Sequence, residues 1–123
     1  MFATSEPFSG FAVDDVAKAK QFYAETLGMT VSAEFGMLML DIGAGKNILV
    51  YPKPDHTPAT FTILNFPVED IDAAVAELTR LGVSFERYDG FAQDEQGIAR
   101  AEGPPIAWFK DPAGNILSVL QLE

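Results

Sequence analysis

The sequence predicts an α+β fold built from two tandem βαβββ modules, and three observations support this. Residues 8–28, FSGFAVDDVAKAKQFYAETLG, resemble residues 63–82, ILNFPVEDIDAAVAELTRLG, at an offset of 55 (70 − 15 for the matching aspartates). GKNIL at 45–49 resembles GNIL at 114–117, at an offset of 68 (117 − 49). Each helix-like segment follows a short apolar segment and ends at a glycine, Gly28 or Gly82. A repeat of this length indicates two copies of one supersecondary unit.

Module one covers residues 8–52 and begins with a short apolar, aromatic strand at 8–13. Asp14 and Asp15 then offer side chains that cap a helix, whose apolar residues recur every three or four positions up to Leu27. Glycine-containing turns separate three further segments, so we expect strands at 30–34, 37–42 and 47–51.

Module two covers residues 60–122, after a proline-bearing connector at 53–59, and the whole chain 1–123 is expected to form one domain. A strand at 60–66 leads to a helix capped by Glu69 and Asp70, and further strands are predicted at 83–88, 106–110 and 116–122. The turn between the last two strands is assigned to Asp-Pro-Ala-Gly at 111–114.

The second module carries a long insertion, DGFAQDEQGIARAEGPP at 89–105. Loops of this length in compact domains are usually lids, binding loops or disordered segments. Phe91 and Ile98 favour a loop that packs against the rest of the protein. The sequence leaves open whether the insertion is a lid over a binding site or a packed excursion without function.

Composition excludes several classes of function. The net charge is −10, from 18 acidic and 8 basic residues, which disfavours binding to nucleic acid or to anionic membranes. The chain has no cysteine, so thiol nucleophiles, disulfides and thiolate metal sites are excluded. No stretch approaches the length of a membrane span, and the first residues lack the features of a secretion signal, so we expect a cytoplasmic protein.

The two βαβββ units, the FYAETLG segment and the FKDPAGNIL hairpin resemble the vicinal oxygen chelate superfamily, which includes glyoxalase I, bleomycin-resistance proteins and extradiol dioxygenases. The resemblance covers nearly the whole chain. It implies a curved mixed sheet with a concave cleft and helices on the outer face, and chains that often pair as homodimers. In metal-using members, His and Glu ligands project from the first and last strands of each unit.

The corresponding positions here are Phe8, Ile63, Val50 and Ser118. None of them is His, Glu or Asp, and one hydroxyl cannot hold a divalent ion. We therefore expect no metal and no cofactor. The only histidine, His56, lies in the connector, and the loop carboxylates of Asp94 and Glu95 are expected to be solvated, so no catalytic residue is assigned.

Strand alternation predicts an apolar hollow with few polar groups, which suits a small-molecule ligand. Phe109 is expected to lie opposite Ile116 and Ala107 opposite Ser118. This parity turns Trp108 toward the helices, although twist or a bulge could turn its ring to the rim. We predict a metal-independent protein that binds an apolar, aromatic or cationic ligand; the alternative is a lyase, isomerase or dioxygenase with a non-standard or metal-free site. The predicted ligand-binding residues are Phe8, Val50, Ile63, Asn65, Phe109 and Ser118.

Overall fold

The chain folds into two units that each combine one mixed sheet with one α-helix, which confirms the α+β class. The computed structural model describes residues 1–101 and 103–123, so Glu102, inside the predicted 89–105 loop, lies outside the described residues. The units are Met1–His56 and Thr57–Glu123, and their boundary falls within the predicted connector. No helix in the described ranges has the length and apolar character needed to cross a bilayer.

The first unit contains a four-stranded sheet in the order β1-β4-β3-β2, with β1 parallel to β4 and the other pairs antiparallel. The N-cap Asp15 starts the helix by accepting a hydrogen bond from the Lys18 N–H at 3.1 Å. The elements are β1 (Gly10–Val13), α1 (Val16–Gln21), a π-helical turn (Phe22–Thr26), β2 (Val31–Glu34), β3 (Met37–Gly43) and β4 (Lys46–Pro52).

One face of this sheet forms the core of the first unit. Val50 is in register with Phe11 of β1 and with Leu38 of β3, and residues in register share a face. The Phe11 ring lies 5.9 Å from the ring of Tyr23, in the π-helical turn. Val50, Leu38 and Tyr23 are fully buried, so this face packs against the helical segment.

The second unit contains a three-stranded sheet in the order β5-β7-β6, with β5 parallel to β7 and β6 antiparallel to it. Asp70 caps its helix by accepting a hydrogen bond from the Ala73 N–H at 3.1 Å, and the buried face of the helix carries Ile71 and Val75. The elements are β5 (Thr62–Pro67), α2 (Ile71–Arg80), β6 (Ile106–Lys110) and β7 (Ile116–Leu120).

The predicted strand at 83–88 is wrong as a strand. Its residues reach β6 only through an isolated bridge between Phe85 and Phe109 and through a hydrogen bond from the Glu86 N–H to the Trp108 carbonyl at 2.8 Å. The next residues turn to the loop instead, since the Tyr88 N–H donates to Gln93 Oε1 at 2.8 Å. Backbone groups engaged with the loop cannot extend the ladder.

Candidate functional site

The register of the β6–β7 hairpin decides which side chains meet on each face of the second sheet. Lys110 pairs with Ile116, so the loop consists of the five residues 111–115. The buried Asp111 carboxylate holds this loop: Oδ1 accepts from the N–H groups of Ala113 at 3.0 Å and Asn115 at 2.9 Å, and Oδ2 accepts from Asn115 Nδ2 at 3.0 Å. Asn115 therefore belongs to the loop, one residue beyond the predicted turn.

This extra loop residue corrects the predicted hairpin register. A shift of one residue moves every side chain of a strand to the other face. Trp108, not Ala107, lies opposite Ser118, and Phe109 lies opposite Leu117. Phe109 is fully buried and packs on Phe85 at a ring-centroid separation of 5.7 Å, so its side chain is on the opposite face from Ser118. The prediction that Phe109 shares a face with Ser118 is wrong.

Asn65 and Ser118 form a polar pair on the same sheet face as Trp108. They are in register on the parallel strands β5 and β7, and Ser118 Oγ donates a hydrogen bond to Asn65 Oδ1 at 2.5 Å. Ser118 is 0% exposed, whereas Asn65 is an exposed residue. We refer to this sheet face as the Ser118 face.

The predicted position of Val50 also requires correction. Gly10 and Asn65 are equivalent positions of the two repeats, because their residue numbers differ by the offset of 55 (65 − 10). Their register partners are Leu49 and Ser118, whose residue numbers differ by 69 (118 − 49) and not by the predicted 68. Leu49 is therefore the counterpart of Ser118, while Val50 is fully buried on the helical side of its sheet. Aligning GKNIL with GNIL therefore gives the wrong counterpart of Ser118, because the turns before β4 and β7 differ in length.

The other two predicted residues lie at different places in their units. Phe8 precedes β1 and is 69% exposed, and it lines a pocket of about 340 Å³ with Met39, Ile42 and Ile48, all within the first unit. Ile63 lies at an irregularity of β5 between Thr62 and Leu64 and is half-buried. The ligand-binding roles of both residues stay predictions.

A second pocket, which we call the loop pocket, opens on the Ser118 face. It has a volume of about 360 Å³, and the sheet contributes Ile106, Trp108 and Leu120 to it. The long loop contributes Phe91, together with Gly90, Ala92, Ala99, Ala101 and Pro104. Every described lining residue is apolar or glycine, so the pocket favours an apolar ligand surface.

The Trp108 ring is held by two aromatic neighbours. Its centroid lies 5.4 Å from the Tyr88 ring and 5.1 Å from the Phe91 ring, both in tilted or edge-on arrangements. Tyr88 Oη is buried without a hydrogen-bond partner among the described residues, and burial together with nearby Glu86 raises the pKa of this phenol. The Tyr88 phenol therefore stays neutral, and its ring packs edge-on against the Trp108 ring.

The loop that covers this pocket is fixed by its own polar groups. Gln93 Nε2 donates to the carbonyls of Glu86 and Gly97, each at 2.8 Å. The Arg87 guanidinium donates to the carbonyls of Asp94 and Glu95. Ile98 is 1% exposed, so the described part of the loop is anchored by packing as well as by hydrogen bonds.

Asp94 organises the turn in this loop. Its Oδ1 accepts from the N–H groups of Gln96 and Ile98, both at 2.9 Å, and its carboxylate faces Arg100 at 3.4 Å. Burial alone would raise the pKa of Asp94, but these hydrogen bonds and Arg100 together lower it. Arg100 also pairs with Asp72 of α2 at 2.7 Å, which ties the loop to the helix.

The donor set does not fit the metal that the family resemblance implies. The four expected positions offer only the Ser118 hydroxyl, which is buried and already bonded to Asn65. Replacing Val50 by its corrected counterpart Leu49 adds no donor. Within residues 1–101 and 103–123, no three His, Asp or Glu side chains are grouped so that they could hold an ion. His56 Nε2 is buried and has no hydrogen-bond partner among the described residues, and His56 belongs to no such group of three in these ranges.

Two residues that form the pocket, Trp108 and Phe91, were not among the predicted site residues. Trp108 lies outside the predicted set because the predicted hairpin loop is one residue too short. A signal was present in the sequence: asparagine after Asp-Pro-Ala-Gly offers a side chain that can bond back to the aspartate. The sequence indicates that Phe91 is an apolar loop residue, but its contact with Trp108 depends on the folding of the loop.

Comparison with solved structures places this arrangement in a known fold. TnmS3, an antibiotic binding protein from Streptomyces sp. CB03234, is 25% identical, with 96% of this chain and 97% of that chain covered and a TM-score of 0.68. A glyoxalase family protein from Enterococcus faecalis is 22% identical, with 98% and 99% covered and a TM-score of 0.70. The fosfomycin resistance protein FosX from Listeria monocytogenes is 16% identical, with 96% and 93% covered and a TM-score of 0.69.

No curated protein matches the sequence. The family model of the Glyoxalase/Bleomycin resistance protein/Dioxygenase superfamily matches residues 8–119, which is most of the chain. This match includes both repeats and the β6–β7 hairpin up to Val119. The chain therefore belongs to the Glyoxalase/Bleomycin resistance protein/Dioxygenase superfamily.

Proposed function

We propose that this chain is a metal-independent small-molecule-binding protein, and that its ligand occupies the loop pocket on the Ser118 face of the second unit. The observation that carries the proposal is the pocket itself, which has an apolar lining that includes the Trp108 ring. Asn65 does not line the pocket, but it is an exposed polar residue in register on the same sheet face. Binding sites for small molecules combine these features: an apolar wall for affinity and a few polar groups for orientation. In this proposal, Trp108 replaces Phe109 among the ligand-binding residues.

The character of the ligand follows from the lining and the charge. Phe91 and Trp108 favour a planar aromatic group, because tilted and stacked ring contacts add to the energy of burial. The net charge of −10 favours a neutral or cationic ligand over an anion. TnmS3 is named as an antibiotic binding protein, and its similarity along nearly the whole chain supports a binding function here.

The test uses the single tryptophan, Trp108, as a reporter within the pocket. We expect members of a library of neutral and cationic aromatic compounds to change Trp108 emission and to raise the melting temperature. A ligand present at 100 times its dissociation constant adds about 2.7 kcal/mol of stability. A compound that raises the melting temperature without changing the emission binds elsewhere. A library in which no compound changes the emission contradicts the proposal.

Metal independence has its own measurement. Elemental analysis of protein purified without chelator is expected to find no stoichiometric zinc, nickel, iron or manganese. A stoichiometric metal that disappears when one residue is substituted would favour the alternative, a lyase, isomerase or dioxygenase of the same superfamily.

We further propose that the protein is a cytoplasmic homodimer that binds neither nucleic acid nor membranes. Exposed aromatic side chains, such as Phe2 and Phe8, support association between copies, and the acidic charge disfavours anionic partners. Light scattering after size exclusion should give twice the chain mass of 13.3 kDa. A monomeric mass across the accessible concentration range contradicts the dimer.

A further inference from the structure

We infer that the Asn65 amide, oriented by Ser118, selects planar ligands that carry a hydrogen-bond acceptor, such as an aromatic ketone. The inference rests on the proposed function, because it concerns the ligand of the loop pocket. It places a neutral hydrogen-bond donor, the Asn65 amide, beside Ser118, which is the position where the family resemblance implies a metal ligand.

The hydrogen bond between the two side chains fixes which end of the amide faces outward. Ser118 Oγ donates its proton to Asn65 Oδ1 at 2.5 Å, so the amide oxygen is turned toward the buried hydroxyl. Asn65 Nδ2 then points away from Ser118 with two N–H groups. No group in the described part of the chain accepts a hydrogen bond from Nδ2, and Asn65 is exposed. The pair therefore presents donors, not acceptors, to a ligand.

The opposite orientation of the amide is disfavoured by the burial of Ser118. If Nδ2 faced Ser118 Oγ, the amide would be the donor and the Ser118 proton would need another acceptor. Ser118 is 0% exposed, and the one hydrogen-bond partner of its hydroxyl among the described residues is Asn65. A buried donor without a partner is costly, so the orientation with the oxygen toward Ser118 prevails. Ser118 is thus a positioning residue for Asn65.

The position of the pair relative to the pocket gives the shape of the ligand. Trp108 lines the loop pocket, whereas Asn65 and Ser118 do not. The three residues are in register across β5, β7 and β6, so the amide and the indole flank Ser118 on one face and a ligand must extend from the pocket to reach the amide. Neighbouring strands lie about 4.8 Å apart, which separates the two outer residues by roughly 10 Å at the backbone. A bicyclic ring packed against Trp108 can therefore direct an oxygen substituent toward Asn65 Nδ2. Carbonyl oxygen suits this donor, and the net charge of −10 disfavours a carboxylate.

The experiment compares 1-indanone with indane, which share a ring system and differ by one carbonyl group. Isothermal titration calorimetry is expected to show roughly fivefold tighter binding of the ketone, the value of one neutral hydrogen bond. Asn65→Leu should abolish this difference between the two ligands. Asn65→Asp should weaken 1-indanone and favour 1-aminoindane, because the carboxylate accepts hydrogen bonds and carries negative charge.

Ser118→Ala tests the positioning role. It leaves the Asn65 amide free to rotate, so the ratio of the affinity for 1-indanone to that for indane should fall. A purely structural role would weaken both ligands equally. Equal affinities of the wild-type protein for the ketone and the hydrocarbon, or no binding of either, overturn the inference. The proposed function itself fails only if the wider library also leaves the Trp108 emission unchanged.

Discussion

Phe91 packs its ring against Trp108 at a centroid separation of 5.1 Å, and this contact joins the long loop to the second sheet. Phe91 is 46% exposed, whereas Trp108 is 9% exposed. The loop residue therefore shields the sheet residue from solvent at the mouth of the loop pocket. The contact links the loop to ligand binding, because both rings line the same pocket.

Replacing Phe91 with alanine should expose the indole and weaken ligand binding. We expect the Trp108 emission to shift to longer wavelength and the binding free energy to fall by about 1 kcal/mol, a typical value for an aromatic pair. Phe61→Ala is the matched control, since Phe61 is 67% exposed and does not line the pocket. Unchanged emission in the Phe91 variant would show that the loop does not cover Trp108 in solution.

Asp111→Ala should destabilise the protein by about 2 to 3 kcal/mol, because it leaves buried N–H groups of the hairpin loop without an acceptor. Asp111 is 4% exposed and holds Asn115 through both of its carboxylate oxygens. The measurement is the free energy of unfolding from denaturant titration. Asp55→Ala is the control, because the Asp55 side chain in its pair with Lys53 is 82% exposed. Equal, small effects of the two substitutions would argue against the assigned hairpin loop.

Phe35→Asn should stabilise the protein by about 0.5 to 1 kcal/mol. Phe35 has a φ of 55° and is followed by Gly36 with a φ of 75°, at the tip of the hairpin between β2 and β3. A bulky side chain is strained in this left-handed region, and Asn-Gly is the favoured pair for such a turn. Phe35 is 92% exposed, so little packing is lost. Phe35→Leu keeps a bulky side chain and should give no gain; a gain equal to that of asparagine would contradict the strain.

The stabilising effect of Asp94 should depend on pH in the acidic range. Its pKa in the folded protein is lowered, since the hydrogen bonds and Arg100 outweigh the effect of burial. A carboxyl group with a lowered folded pKa stabilises the protein fully above its unfolded value, near 3.9, and this stabilisation is lost as the pH falls through the folded pKa. The difference in unfolding free energy between wild type and Asp94→Asn should stay constant from neutral pH to about pH 5 and shrink below about pH 4. A difference that does not change with pH would contradict this assignment.

Local signals in the sequence were sufficient for the repeat and for most elements. Asp15 and Asp70 cap their helices as predicted, and the order of strands in the first unit follows the βαβββ pattern. These features depend on contacts between residues close in the chain, such as an aspartate side chain and the N–H three residues later.

The faces of the last strands could not be derived in the same way. They depend on whether Asn115 belongs to the loop or to β7, which is decided by its buried hydrogen bonds to Asp111. The loop pocket depends on tertiary contacts, such as Phe91 with Trp108, that have no periodic signal. Strand alternation is reliable only once the register is known.

The two repeats differ at the position of the Asn65 side-chain amide. Gly10 and Leu49 occupy, in the first unit, the register positions that Asn65 and Ser118 occupy in the second. A Cβ at Gly10 would lie 3.2 Å from the Leu49 carbonyl oxygen, so the Leu49 backbone would have to shift by a few tenths of an ångström to admit a side chain. Duplication has thus produced two unequal copies, and a calorimetric titration should saturate at a stoichiometry of one acceptor-bearing molecule per polypeptide.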